Sequence, residues 1–129
     1  MVSGGQDGSI QAWKTTNKKP LTCVAGAHGF ESSIPQNKRW ITSLAAFKMS
    51  DSFISGSYDG YLRFWGLKKL NDKFALENIN SMPIEGFVNS ISISNDFVCL
   101  ATGQEHKLGR WWSIKGSHNK VVLFKLPIN

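Results

Sequence analysis

Cysteine is scarce in this 129-residue chain: Cys23 and Cys99 stand far apart, inside the apolar stretches Thr22-Cys23-Val24-Ala25 and Phe97-Val98-Cys99-Leu100. Neither has a second cysteine at zinc spacing, and His28, His106 and His118 are too scattered for a ligand set, so no metal site is expected. Both cysteines are expected to pack as small hydrophobes with reduced thiols. No uncharged apolar run approaches the ~18 residues a membrane span needs, so no membrane association is expected. The catalytic signatures are missing too: no Gly-x-Ser-x-Gly elbow, no phosphate-cradling glycine loop, no His-Glu-x-x-His helix and no carboxylate pair placed apart from turns. Neither an enzyme nor a cofactor is expected. The start, Met1-Val2-Ser3-Gly4-Gly5-Gln6-Asp7, lacks the basic and apolar stretches of a signal peptide, which makes an intracellular location the expectation.

What is abundant is aromatic, small and basic: five Trp, eight Phe, twelve Gly, and fifteen Lys and Arg against nine Asp and Glu. The length suits a single core. The formal charge of +6 is uneven, with residues 97–129 the most basic third. A basic surplus inside a cell points to a polyanion, RNA above all; a solvated surface is the plainer reading.

Self-similarity governs the chain. Ser3-Gly4-Gly5-Gln6-Asp7-Gly8-Ser9-Ile10-Gln11-Ala12-Trp13 recurs, 52 residues on, as Ser55-Gly56-Ser57-Tyr58-Asp59-Gly60-Tyr61-Leu62-Arg63-Phe64-Trp65. A weaker copy runs from Thr102 to Trp112, with His106 at the turn-Asp position if the glycine sets the register and Glu105 there if Trp111 does. Each copy reads as two antiparallel strands around a tight turn, because Asp-Gly supplies conformations that bulky residues resist. Trp40–Phe47 and Val88–Ser94 read as strands before the second and third copies, and Phe74–Ile79 and Val121–Leu126 as strands after them. Four strands per unit, repeated at this period with no amphipathic helix, predict an all-β chain of propeller blades. The Val88–Ser94 strand, with its mixed apolar character, is predicted to be covered on both faces.

The pattern Ser-Gly-x-x-Asp-Gly-x-aliphatic-x-x-Trp, twice in register, resembles the WD40 repeat family. That resemblance implies about two and a half four-stranded antiparallel blades of a larger, seven-bladed propeller. Residues 1–25 would be a partial blade, 26–79 a blade with a long insertion at 28–39, and 80–129 a last blade with an atypical turn at 103–112. It also implies that His28, Ser55, Asp59 and Trp65 form a buried structural set rather than a catalytic one. The chain starts at the second strand of a blade, so it is expected to be the C-terminal piece of a longer protein.

The run Gln104-Glu105-His106-Lys107-Leu108-Gly109-Arg110-Trp111-Trp112-Ser113-Ile114-Lys115, with Trp40-Ile41-Thr42-Ser43 and Gly86-Phe87-Val88-Asn89, is similar to the WD-repeat subunits of the U3 small nucleolar ribonucleoprotein. The resemblance implies a non-catalytic nucleolar protein that binds the box B/C region of U3 RNA. Its implied partners are a kink-turn-binding protein, other small-subunit processome proteins and the rest of its own propeller, and its implied role is pre-rRNA processing toward 18S rRNA. A WD40 protein scaffold without RNA contact is the alternative.

Partners meet propellers at turns and loops, so the atypical blade supplies the RNA candidates: Gln104, Glu105, His106, Lys107 and Arg110. Lys107 and Arg110 could neutralise phosphate, while Gln104 and His106 could reach base edges or 2′-hydroxyls; a Glu105–Arg110 pair is the structural alternative for Arg110. Lys115 and Lys120 bound a basic loop able to track a backbone. Trp111 and Trp112 could stack on bases, with at least one of them expected in the core. Lys38 and Arg39 close the insertion, read as a protruding partner-binding loop that also holds Ser32, Ser33, Pro35 and Asn37.

Overall fold

Asp-Gly and Asn-Asp pairs between apolar runs fold the described residues into ten strands in three antiparallel sheets. The computed structural model describes residues 1–30, 38–108, 113–114 and 116–126. The first sheet holds β1 (Val2–Gly4), β2 (Ile10–Ala12) and β3 (Thr22–Val24). The second holds β4 (Ser43–Ala46), β5 (Ser52–Gly56), β6 (Tyr61–Leu70) and β7 (Lys73–Pro83). The third holds β8 (Phe87–Ser94), β9 (Phe97–Gly103) and β10 (Lys120–Lys125), in the order β10-β9-β8. No helix occurs among the described residues.

Turn chemistry accounts for the hairpins. Gly8 and Gly60 sit at φ 77° and 90°, where a side chain would be strained, and the preceding carboxylates accept the amides of Ser9 (3.0 Å) and Tyr61 (3.2 Å). At the other end of the second sheet Asn71 and Asp72 take φ 49° and 65°, the pair of positive values that a two-residue turn between twisted strands requires.

Two cores form, one on each face of the middle sheet. Ile10, Ala27, Phe53 and Trp65 fill the space toward the first sheet; Ile54, Leu62, Val88, Val98 and Leu100 fill the space toward the third. Phe53 and Ile54 are chain neighbours that point to opposite faces, so β5 is buried on both. At the junction of the second and third sheets a Cβ on Gly56 would lie 2.5 Å from Val88 Cγ1 and from Ser43 Oγ. The Thr42 hydroxyl lies 2.6 Å from the Val88 carbonyl and 3.0 Å from that of Gly56, and Ser43 donates to Val88 O at 2.7 Å.

Several expectations need correction. The strand expected at Val121–Leu126 as the fourth of its blade is β10, and it pairs directly with β9 as the third: Thr102 faces Lys120 and Leu100 faces Val122. The segment after Gly103 is therefore a long connection rather than a tight turn, and Val122 holds the register position that Trp65 holds opposite Phe53. Among the described residues, four strands are present only in the middle sheet. The β8 strand, expected to be covered on both faces, buries Phe87 and Val88 but exposes Ser90 and Ser92, because its sheet packs by one face on the middle sheet. Trp40–Phe47 shortens to β4, since Ile41 and Thr42 donate their amides to the sheet ends at Gly5 and Gly56 (3.1 and 2.9 Å). Cys23, expected to pack, is exposed on β3, while Cys99 is half-buried; both thiols are free.

Replacing Gly56 with Ala should destabilise the full-length protein by about 1–3 kcal/mol in denaturant melts, because Val88 and Ser43 would both have to give way.

Candidate functional site at one end of the sheets

Antiparallel strands reverse at every turn, so the β1–β2 and β5–β6 turns, the β9–β10 connection and the segments entering β4 and β8 share one end of the sheets. The described sequence candidates all lie at that end.

His28, Ser55, Asp59 and Trp65 form one hydrogen-bonded chain. Trp65 Nε1 donates to Ser55 Oγ (2.8 Å), the Ser55 hydroxyl reaches His28 Nε2 (2.7 Å), and His28 Nδ1 meets Asp59 Oδ1 (2.9 Å). Arg63 completes it with Nη2 at 2.9 Å and Nε at 3.3 Å from Asp59 Oδ2. Donors and acceptors close with the His28 proton on Nδ1, and buried polar groups demand such closure. The chain ties the connection before β4 to β5, to the turn and to β6. It offers no nucleophile: Ser55 is fully buried and its oxygen is engaged by Trp65 and His28. The first sheet repeats part of it, with Trp13 Nε1 donating to Ser3 Oγ at 2.8 Å. In the third sheet Thr102 stands in the place of Ser55, and its hydroxyl donates to Lys120 O at 3.3 Å.

Burial alone raises the Asp59 carboxyl pKa, but the hydrogen bonds and charges of His28 and Arg63 outweigh it and hold it below the ordinary carboxylate value. A depressed folded pKa contributes stability that is present above the unfolded value of about 4 and lost as pH falls through the folded one.

A different device orders the third sheet. The β8–β9 register shifts between Val88 and Ser90, which leaves Asn89 out of the ladder on a β-bulge. Its freed side chain donates from Nδ2 to Glu105 O (2.9 Å) and accepts the Lys107 amide at Oδ1 (3.1 Å). The Lys107 ammonium then donates to the carbonyls of Asn89 (3.1 Å) and Thr42 (3.2 Å), bridging the third sheet to the second. His106 is buried, its ring edge-on to Trp40 and Phe87 at 5.8 and 6.0 Å, and its Nδ1 accepts the Leu108 amide at 3.1 Å. Burial, helped by the Lys107 charge, pushes the His106 pKa below its ordinary value. Gln104 is pinned through its backbone, its amide to Asn119 Oδ1 (2.9 Å) and its carbonyl to the Ile114 amide (2.8 Å).

Two further described cations at this end are also engaged. Lys120 Nζ lies 3.6 Å from Glu85, and Arg39 Nη1 donates to His28 O at 3.4 Å. Lys38 pairs across to Phe30 and packs on Gly8, so the base of the 28–39 insertion is closed like a hairpin. Arg110, Lys115, Trp111 and Trp112, and Ser32 to Asn37 of the insertion, lie outside the described residues, as does the Glu105–Arg110 pairing. No cluster of His, Cys, Asp and Glu among the described residues could hold a metal.

Sequence reasoning missed Asn89, Thr42 and Ser43, which join the two sheets. No signal in the β8 sequence alone marked Asn89, which stands among the serines of Phe87–Ser94.

Repeated antiparallel sheets that pack face to face, with a buried His-Ser-Asp-Trp chain at one end, define a β-propeller chain. It carries a WD40 repeat: the WD40 family model, described as WD domain, G-beta repeat, matches residues 21–66. The chain is similar to U3 small nucleolar RNA-interacting protein 2 of Mus musculus, 37% identical over 100% of this chain and 28% of that protein. It is 39% identical to the Homo sapiens protein of that name, over 98% of this chain and 27% of the relative. Among solved structures it superposes on the RRP9 WD40 repeats with a TM-score of 0.87 at 36% identity, over 98% of this chain and 38% of that one. The chain thus spans less than a third of the curated relatives it matches.

Two outcomes follow from this geometry. Asp59→Ala should cost about 1–3 kcal/mol of stability at neutral pH, the penalty for stranding buried partners, and should flatten the loss of stability seen on acidification below pH ~4; thermal melts across pH check both. Asn89→Ala should speed hydrogen exchange of the Lys107 amide by about tenfold, the equivalent of one hydrogen bond removed, while exchange in β5 stays unchanged.

Proposed function

We propose that the protein is a non-catalytic RNA-contacting subunit of the U3 small nucleolar ribonucleoprotein. In this reading it binds the box B/C region of U3 RNA beside a kink-turn-binding protein, within the nucleolar small-subunit processome, and serves pre-rRNA processing toward 18S rRNA. The single observation that carries it is similarity, along the whole chain and at 37% and 39% identity, to proteins named for interaction with U3 small nucleolar RNA. The geometry supports a recognition role for the end that holds the β9–β10 connection. The described first residues of that connection, 104–108, are fixed to their own sheet by Asn89 and to the neighbouring sheet by Lys107, and preorganisation lowers the ordering cost of binding. Half-exposed Gln104 offers an amide for base edges, and Lys107 and Lys120, with Arg110 and Lys115, offer charge. The seated ring of His106 shapes the wall of the connection.

A WD40 scaffold without RNA contact is the second reading, favoured by the carbonyls and carboxylate that already occupy Lys107 and Lys120. The two part on salt dependence, since phosphate contacts weaken steeply with salt. Full-length protein immunoprecipitated from cells should recover U3 RNA in preference to other small RNAs, and Lys107→Glu with Arg110→Glu should cut that recovery by about tenfold. Lys120→Glu, which leaves the Asn89 clamp intact, should cut it by a smaller factor. Recovery of processome proteins without U3 RNA would overturn the first reading in favour of the second.

A further inference from the structure

The end of the sheets opposite the Asp59 turn carries a set of cations that nothing above uses. Lys14, Lys18 and Lys19 lie on the β2–β3 connection, Lys48 on the β4–β5 turn, and Lys69 and Lys73 on the β6–β7 hairpin; all six are exposed. The hairpin is an arm. β5 pairs with β6 only through Arg63 to Gly66, and past the Leu67 amide's bond to Asp51 O residues Lys68 to Leu70 pair only with Lys73 to Ala75, so a two-stranded ribbon extends past the end of β5 to the turn at Asn71 and Asp72. The positive φ values of those two residues fix the turn at its tip. Trp13, Asp51 and Leu67 line one shallow pocket of about 110 Å³, and the Leu67 amide donates to Asp51 O at 3.0 Å, so the three loops converge.

Charge is disposed differently at the two ends. At the Asp59 end Arg63, Lys107, Lys120 and Arg39 are each held by a carboxylate or a carbonyl. At the opposite end Lys68 pairs with Glu77, but none of the six lysines has a carboxylate within 4 Å among the described residues; Lys69 rests over the Phe74 ring at 5.7 Å. Asp51 and Asp72 share two of these turns but pair with none of the six lysines; flexible, unpaired ammonium groups in excess on adjoining loops match a phosphodiester strand, whose charges recur every few ångströms and demand no side-chain geometry.

We propose that this opposite end is a second RNA surface, on which Lys14, Lys18, Lys19, Lys48, Lys69 and Lys73 grip the sugar-phosphate backbone regardless of sequence. It rests on the reading of the protein as a ribonucleoprotein subunit, and it divides the labour: the Asp59 end selects the RNA and the lysine end adds affinity.

The test uses full-length protein with two probes, a 20-nucleotide oligouridylate and U3 box B/C RNA, titrated at several salt concentrations. Lys14→Glu, Lys18→Glu, Lys69→Glu and Lys73→Glu together should weaken binding of both RNAs by at least about tenfold. They should also flatten the log-log salt slope by roughly 0.7 for each phosphate that is no longer neutralised, while the ratio between the probes and the melting temperature stay as in the parent. The same four positions changed to Gln, which removes charge without reversing it, should give a smaller loss in the same direction. Parental affinity and slope in both variants would overturn the proposal, as would loss of binding to an acidic polypeptide with RNA binding intact. A parent that binds oligouridylate through these lysines but recovers no U3 RNA from cells would instead refute the ribonucleoprotein reading and leave the surface standing.

Discussion

Adjacent sheets in this protein approach so closely at their inner strands that the position of Gly56 has no room for a side chain, and the backbone polar groups there must be satisfied from the flanks. Gly56, where a Cβ would lie 2.5 Å from Val88, and Gly4, where one would lie 2.5 Å from Ile41, are two such positions. Once a side chain is excluded at Gly56, the Val88 carbonyl faces the neighbouring strand, and Thr42 and Ser43 supply the hydroxyls that satisfy it. Apolar residues on both faces of β5 then complete two cores from a single strand. An unpaired buried carbonyl costs on the order of 1–3 kcal/mol, so the hydroxyls are as much a condition of the packing as the apolar residues.

The end of the sheets where this junction lies is held by two unlike devices. In the middle sheet the His28–Ser55–Asp59–Trp65 chain links four chain segments through buried side chains. In the third sheet the bulge at Asn89 and the ammonium of Lys107 do comparable work through backbone groups, closer to solvent. The substitution of one for the other frees the β9–β10 connection from the tight turn the repeat prescribes and fixes its described first residues, 104–108, against both sheets. At the far end no such network forms among the described residues, and the turns there keep their lysines facing solvent.

The repeat was legible because its chemistry is local: Asp-Gly turns, small residues before them and a Trp at fixed spacing fix two hairpins without reference to the rest of the chain. The same locality misled at the third copy. Thr102 to Trp112 carries the spacing of a hairpin, but β9 takes Lys120–Lys125 as its partner, and Val122 then fills the position where the pattern had suggested a Trp. Strand choice of that kind is settled by which apolar side chains reach the core between sheets, and Val122 and Phe124 do so from β10. Asn89 was illegible for a related reason: a bulge is a property of two paired strands, and one strand's sequence does not display it. The distribution of free charge was hidden as well. The most basic third of the sequence contributes Lys107 and Lys120, which the fold engages, whereas lysines scattered through the first two thirds are gathered at one end by strand reversal.

The most direct test is ultraviolet crosslinking of the intact protein in cells, followed by sequencing of the attached RNA and mapping of the crosslinked peptides. The predicted result is enrichment of U3 small nucleolar RNA with adducts at both ends, within residues 104–120 and on the loops carrying Lys14, Lys48 and Lys69. Protein partners recovered without specific RNA, or adducts absent from both ends, would contradict it.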